Sequence, residues 1–177
     1  MNSTHILLIA DGRSPTTSRW VDSLNEQGYR VTLVSTYPLT NNLAVEKTYI
    51  LPVAFSQAGK LSESKISQNE TRKKTWKQIL IQNFLPTVLK IRYLMGPLTL
   101  PYYGRKLRKI IANIQPDLVH ALRIPYEGML AAYTPDNLPL LVSVWGNDFT
   151  LHANANKKMA KLTGAAMQRA DGLIADT

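Results

Sequence analysis

Short continuous apolar runs alternate with amphipathic stretches along the chain, and this rhythm sets the reading of every other feature. Residues 5–10 (His-Ile-Leu-Leu-Ile-Ala) are apolar without alternation, the pattern of a strand buried on both faces. The run empties into Asp11, Gly12, Arg13, Ser14 and Pro15, after which Trp20, Val21 and Leu24 recur at helical spacing. Ser14 is placed to cap this helix, Pro15 to open it and Gly28 to stop it. β-Branched residues crowd 30–35, so the three pieces predict a strand, helix and strand unit whose two strands run parallel. Further strands are predicted at 48–53, at 117–122, at 140–144 and at 172–175, with Pro52 restricting the first of these to its end or to a sheet edge. Helices are predicted at 127–133 and from Asn154 or Asn156 to about Arg169. The sum is one α/β domain over 1–177, an open parallel sheet with helices on both faces. It ends on a strand without a covering helix, which predicts that the domain continues beyond this chain.

Between the third and fourth strands the pattern changes. Residues 54–75 are polar, lysine-rich and aperiodic, which predicts a long mobile loop. At 76–95 Trp76, Ile79, Leu80, Phe84, Val88, Leu89, Ile91 and Leu94 form a broad apolar stripe, predicted to be a helix kinked into two pieces at Pro86. Gln82, Asn83, Lys90 and Arg92 interrupt it, so it is neither long nor apolar enough to span a bilayer. Pro97 and Pro101 predict a break before a basic helix at 102–114.

Composition narrows the chemistry. The chain has no Cys, which excludes disulfides, thiol catalysis and Cys-based zinc sites. The first apolar run is too short for a signal-peptide core and follows no basic region, so a cytoplasmic protein is expected. Net charge is +9, yet twelve Lys and Arg against Glu63 and Glu70 fall within 60–109, a local +10 that leaves the rest near neutrality. This insertion-like segment, within 54–110, should meet a negatively charged partner. Trp76, Phe84 and Tyr93 among basic residues suit a segment lying on an anionic membrane, where each basic residue contributes about 1 kcal/mol. A solvated loop plus a helix packed on the sheet is the plainer alternative. No nucleic-acid module accompanies the charge, so nucleic acid is not an expected partner.

Dinucleotide, Walker A, GxSxG and HExxH patterns are absent, and no carboxylate cluster suggests a metal. What remains is polar residues at the ends of three predicted strands: Asp11, Gly12 and Arg13; His120, Arg123, Tyr126 and Glu127; Trp145, Gly146, Asn147 and Asp148. Ligands of open α/β sheets bind outside the strand carboxyl ends, so the coincidence of three such sets predicts a cleft. Each set also has a plain structural reading. Gly12 serves equally as a turn glycine, His120 as a satisfied core histidine, Arg123 with Glu127 as a surface ion pair and Asp148 as a cap.

In this order, the motifs resemble those of the N-terminal half of GT-B glycosyltransferases of the retaining family-4 type. The match comprises the first strand and Gly12, Gly-Tyr-Arg-Val-Thr-Leu-Val-Ser at 28–35, Pro-Asp-Leu-Val-His-Ala at 116–121, Val-Trp-Gly-Asn-Asp at 144–148 and Arg-Ala-Asp-Gly-Leu-Ile-Ala at 169–175. The resemblance implies a Rossmann-like acceptor-side domain of an enzyme that moves a sugar, with retention, from a nucleotide sugar to a sugar or lipid-linked acceptor. It implies no cofactor beyond that donor. Gly12 then approaches the donor diphosphate, and Gly146 and Asp148 floor the acceptor side. His120 and Asp148 are the catalytic candidates, with Arg13, Arg123, Tyr126, Glu127, Trp145 and Asn147 completing the substrate-binding set by position. Leu122 and Trp145 stand where the family often has histidines, and Arg13 where it often has a second glycine. The family's second domain carries two Glu eight positions apart, whereas Glu63 and Glu70 are seven apart in a polar stretch. A donor-binding domain is therefore expected to be absent from this chain, and the chain alone to be inactive. The alternative is a non-catalytic Rossmann-like module that binds an anionic membrane or a protein partner through 60–109.

Overall fold

The computed structural model describes residues 3–39, 42–56 and 76–175, with side chains at all of these except 55 and 76–91. Its strands are β1 (His5–Ala10), β2 (Arg30–Ser35), β3 (Lys47–Ile50), β4 (Leu118–Ala121), β5 (Leu140–Val144) and β6 (Gly172–Ala175). All five pairings are parallel, and the strands lie in the order β3-β2-β1-β4-β5-β6, the Rossmann arrangement.

Burial follows the apolar runs. All six residues of β1 are buried, because successive side chains enter different cores. Ile6, Leu8 and Ala10 pack with Val31, Leu33 and Leu122 against Val21 and Leu24 of helix α1 (Pro15–Glu26). Leu7 and Ile9 pack on the other face with Val34, Val119, Leu140 and Val142. That face is covered by α2 (Trp76–Ile114), the single turn α3 (Met129–Ala131) and α4 (Lys157–Arg169), through Leu100, Leu107, Met129 and Met159. The ends of α1 form as its sequence implies: Ser14 Oγ accepts the Thr16 N–H at 3.3 Å, Pro15 occupies the first turn, and Gly28 leaves the helix at φ 81°. Asn156, rather than Asn154, caps α4 by accepting the Met159 N–H at 2.9 Å.

Three expectations are corrected. The strand expected at 48–53 stops at Ile50, and Val53–Phe55 forms a 3-10 turn beyond Pro52. The helix expected at 127–133 begins instead as a π-helical turn over Ile124–Gly128, closed by the Gly128 N–H on Arg123 O at 2.8 Å. Most consequentially, α2 runs as one 39-residue helix through Pro86, Pro97 and Pro101. A helical proline leaves the carbonyl four residues back without its donor. For Pro97 that carbonyl belongs to Tyr93, and Asn156 Nδ2 donates to it at 3.3 Å, so a neighbouring element replaces the missing N–H. The mobile loop expected at 54–75 lies outside the described residues from 57 onward. Among the described residues, no helix is long and apolar enough to cross a membrane.

Two motif aspartates set the strand starts. Asp117 Oδ2 accepts the His5 N–H at 2.7 Å, and Asp171 Oδ2 accepts that of Leu140 at 2.8 Å. Arg169 donates to the carbonyls of Pro135 and Leu138 at 2.6 and 2.8 Å, which ties down the connection before β5. The strand order reverses between β1 and β4, and a crevice opens there at the carboxyl ends.

Candidate functional site

Every parallel strand at the switch point contributes to the crevice. Asp11 follows β1, Tyr37 follows β2, Arg123, Pro125, Tyr126 and Glu127 follow β4, and His152 comes from the turn after β5. The remaining wall is α2, which supplies Arg92 and Tyr93. Gly96 makes this approach feasible, since a Cβ there would lie 2.8 Å from both Ala54 Cβ and the Tyr126 hydroxyl. Tyr126 can therefore donate to the Arg92 carbonyl at 3.0 Å. Burial pushes the Tyr126 phenol well above its ordinary range, so it remains a donor.

The two guanidiniums are held by aromatic rings and by hydrogen-bond acceptors. Arg92 donates to the Tyr37 hydroxyl and lies 5.7 Å from that ring and 5.4 Å from the ring of Tyr126. Arg123 lies 5.4 Å from the Trp145 ring, 3.7 Å from Asp148 Oδ1 and 3.2 Å from His152 Nε2. A guanidinium only donates, so Nε2 of His152 accepts and its Nδ1 carries the proton. That proton goes to the Tyr93 hydroxyl oxygen, 2.8 Å away, which leaves the Tyr93 O–H free to donate elsewhere. Burial, and next the charge of Arg123, pushes the His152 pKa down, in keeping with a neutral ring. Burial pushes Tyr93 up, which preserves its proton.

Glu127 supplies the opposite polarity. It is 3% exposed, its Oε1 accepts the Thr36 hydroxyl at 2.6 Å, and its buried Oε2 has no hydrogen-bond partner. Burial raises its pKa, with the Thr36 hydrogen bond and Arg123 opposing the rise. An unsatisfied buried carboxylate oxygen is costly.

The residues singled out from the sequence divide accordingly. Arg123, Tyr126 and Glu127 come together in the crevice. The surface ion pair expected of Arg123 and Glu127 is replaced: Arg123 turns to Asp148 and His152, and Glu127 to Thr36. Arg13 is gripped by Asp11 at 3.1 and 3.0 Å and stacks 3.9 Å over Tyr37, behind the crevice wall. Gly12 is buried, its N–H on Ser35 Oγ at 3.1 Å, with Leu33 and Leu39 where a Cβ would project. His120 bonds Ser143 Oγ at 2.9 Å and meets Trp20 edge-on at 5.0 Å. Burial pushes it down to about 4, and it does not line the crevice. Asp148 is fully buried and accepts backbone N–H groups from Ile124 and Trp145. It therefore positions Arg123 and its loop. Trp145 lines a neighbouring pocket with Trp20, Ser143 and Ile174, while Gly146 and Asn147 are exposed.

Sequence reasoning missed Arg92, Tyr93, Tyr37, Thr36 and His152. Arg92 and Tyr93 carry one faint signal, a polar pair inside an apolar helical stripe; for Tyr37, Thr36 and His152 no local pattern separates them from ordinary turn residues.

The crystal structure of CalG4, the calicheamicin glycosyltransferase, is similar to the chain at a TM-score of 0.45 and 18% identity, over 81% of this chain and 33% of that one. The chain thus spans about a third of the length of that structure. No curated protein sequence matches it. The profile of the family described as glycosyl transferase 4-like matches residues 66–177, more than half of the sequence. The chain belongs to the glycosyl transferase 4-like family.

Proposed function

We propose that this domain is the acceptor-binding half of a GT-B glycosyltransferase that moves a sugar from a nucleotide sugar with retention, a second Rossmann-like domain holding most of the donor. The observation that carries the reading is the unpartnered Oε2 of Glu127, buried at the wall of a crevice flanked by Arg92 and Arg123. A hydroxyl of the acceptor completes that oxygen by donating to it, which fixes the nucleophile in orientation. Asp148 and the His152–Tyr93 pair keep Arg123 in place. Incubating the complete protein with a panel of nucleotide sugars and acceptors, and measuring nucleoside diphosphate release, tests the reading. Glu127→Gln should lower kcat/KM for the acceptor by about 100-fold and leave the donor KM unchanged. Equal rates in both proteins would remove Glu127 from the site. Absence of turnover with every donor would favour the non-catalytic module.

A second reading concerns location. Leu94, Met95, Leu98 and Tyr102 on α2 are exposed, as are Phe149 and Leu151 in the turn that carries His152. The His152–Tyr93 contact joins these two elements beside the crevice, and Arg105, Lys106 and Lys109 follow on the same helix. We infer that this rim rests on the cytoplasmic face of an anionic membrane, its apolar residues inserted and its basic residues on the headgroups. Of the aromatics the sequence offers for this role, Trp76 and Phe84 lie outside the described side chains, and Tyr93 turns instead to His152 in the crevice. Co-sedimentation with liposomes should rise with anionic lipid content and fall for Leu94→Glu with Leu98→Glu; binding indifferent to lipid charge would overturn it.

A further inference from the structure

The polar inventory of the crevice is lopsided. Arg92 and Arg123 present guanidiniums, each with a buried Nε lacking a hydrogen-bond partner. The Tyr37 hydroxyl accepts from Arg92 and the Tyr93 hydroxyl accepts from His152, so both O–H groups remain as donors. Carboxylates do not balance this wall. Asp11 is taken by Arg13, Asp148 pairs with Arg123 at 3.7 Å, and among the described residues Arg92 meets no carboxylate. Two buried carboxylate oxygens have no hydrogen-bond partner among the described residues, Asp148 Oδ1, which faces Arg123 at 3.7 Å, and Glu127 Oε2, which faces no cation that closely. A neutral sugar, whose hydroxyls each donate and accept, would leave donors unmatched here. A group that only accepts would not.

We propose that the crevice holds a phosphate ester of the acceptor between Arg92 on α2 and Arg123 after β4, with the Tyr37 and Tyr93 hydroxyls as further donors and a neighbouring acceptor hydroxyl on Glu127 Oε2. This rests on the glycosyltransferase reading for its role and on the donor inventory for its chemistry. Two guanidiniums reaching in from separate elements suit a tetrahedral oxyanion, whose oxygens diverge, better than a flat carboxylate. The arrangement selects a phosphorylated acceptor over its neutral counterpart, because the neutral one leaves Arg92 without an anion.

The test is isothermal titration of the full chain with sn-glycerol 3-phosphate, glycerol, lactate and uridine diphosphate. Glycerol 3-phosphate should bind, with an affinity that falls as salt rises, and glycerol should not. Arg92→Gln should weaken binding at least tenfold, and Tyr93→Phe, which deletes one oxygen from an otherwise intact ring, severalfold. Lys161→Gln, on the exposed side of α4, should leave binding unchanged. Thermal melts confirm that each variant is folded. Equal affinity for lactate, no preference over glycerol, displacement by uridine diphosphate alone or an unaltered Arg92→Gln isotherm would each overturn the phosphate site. The transfer assay on Glu127→Gln stands independently, so loss of the phosphate site leaves the glycosyltransferase reading to its own outcome.

Discussion

Asp148 and Ile124 are joined across the ends of two neighbouring strands: the buried carboxylate after β5 accepts the backbone N–H that follows Arg123, at 3.1 Å. The same Oδ2 takes the Trp145 N–H at 3.0 Å, and Oδ1 lies 3.7 Å from Arg123. One carboxylate thus fixes the height of two loops and the direction of a guanidinium. Asp148→Ala is expected to cost about 3 kcal/mol, because it strands the buried Ile124 N–H and the half-buried Trp145 N–H and removes the anion beside Arg123. Asp148→Asn, whose amide oxygen can still accept both, should cost about half as much. Urea unfolding measures both, and a loss below about 0.5 kcal/mol for alanine would contradict this bracing role.

Stability should depend on pH through two buried groups of opposite sign. Burial holds His120 at about 4 instead of 6.5, so the unfolded chain takes up a proton that the fold excludes. Its contribution is complete above pH 6.5 and is lost as pH falls toward 4, about 3 kcal/mol across that window. Glu127 is shifted upward, so its contribution is complete below the ordinary carboxylate range and is lost as pH rises. His120→Gln should flatten the acid side of a stability profile while retaining a hydrogen bond to Ser143. Glu127→Gln should raise stability at pH 8 while lowering transfer, the trade expected of a functional buried charge. Denaturation midpoints from pH 4 to 8 check both, and unchanged profiles would contradict the assigned burial.

Two glycines separate packing from approach. A Cβ on Gly104 would strike the face of the Tyr133 ring, whereas one on Gly146 would meet nothing within 4 Å. Gly104→Ala should therefore destabilise the fold by about 2 kcal/mol through overpacking. Gly146→Ala should stay within about 0.5 kcal/mol of the parent. Any loss of transfer in Gly146→Ala would then report a ligand passing close to that backbone.

Asn156 has two separable duties, capping α4 with Oδ1 and serving the Tyr93 carbonyl with Nδ2. Asn156→Asp keeps the first and forfeits the second. It should destabilise by about 1 kcal/mol, and Pro97→Ala, which restores a backbone N–H to that carbonyl, should make the aspartate substitution nearly free. A double-mutant cycle by thermal melting measures the coupling, and additive effects would show that Pro97 and Asn156 act independently.

Where a feature of this protein depends on neighbours in the chain, the sequence announces it. The apolar run of β1, the Ser14 and Pro15 opening of α1, the Gly28 stop and the family motifs are all local, and all appear where the pattern places them. Several residues of those motifs make contacts that hold the fold. Asp117 and Asp171 anchor strand starts, Arg169 pins a loop, and His120 is satisfied inside the fold.

The crevice has a different origin. Arg92 and Tyr93 reach it because α2 is unbroken at Pro97, where Asn156, 63 positions away from Tyr93 in the chain, donates to the carbonyl that the proline leaves open. Thr36 finds Glu127 across 91 positions, and Tyr93 finds His152 across 59. The sequence by itself determined the order of strands, the family and the sheet edge at which the polar strand ends collect. Which guanidiniums share a wall, which hydroxyls keep a free proton and which carboxylate oxygen goes unpaired were decided by the tertiary structure alone. Hydrogen-bond partners between distant elements depend on packing distances that no local periodicity encodes.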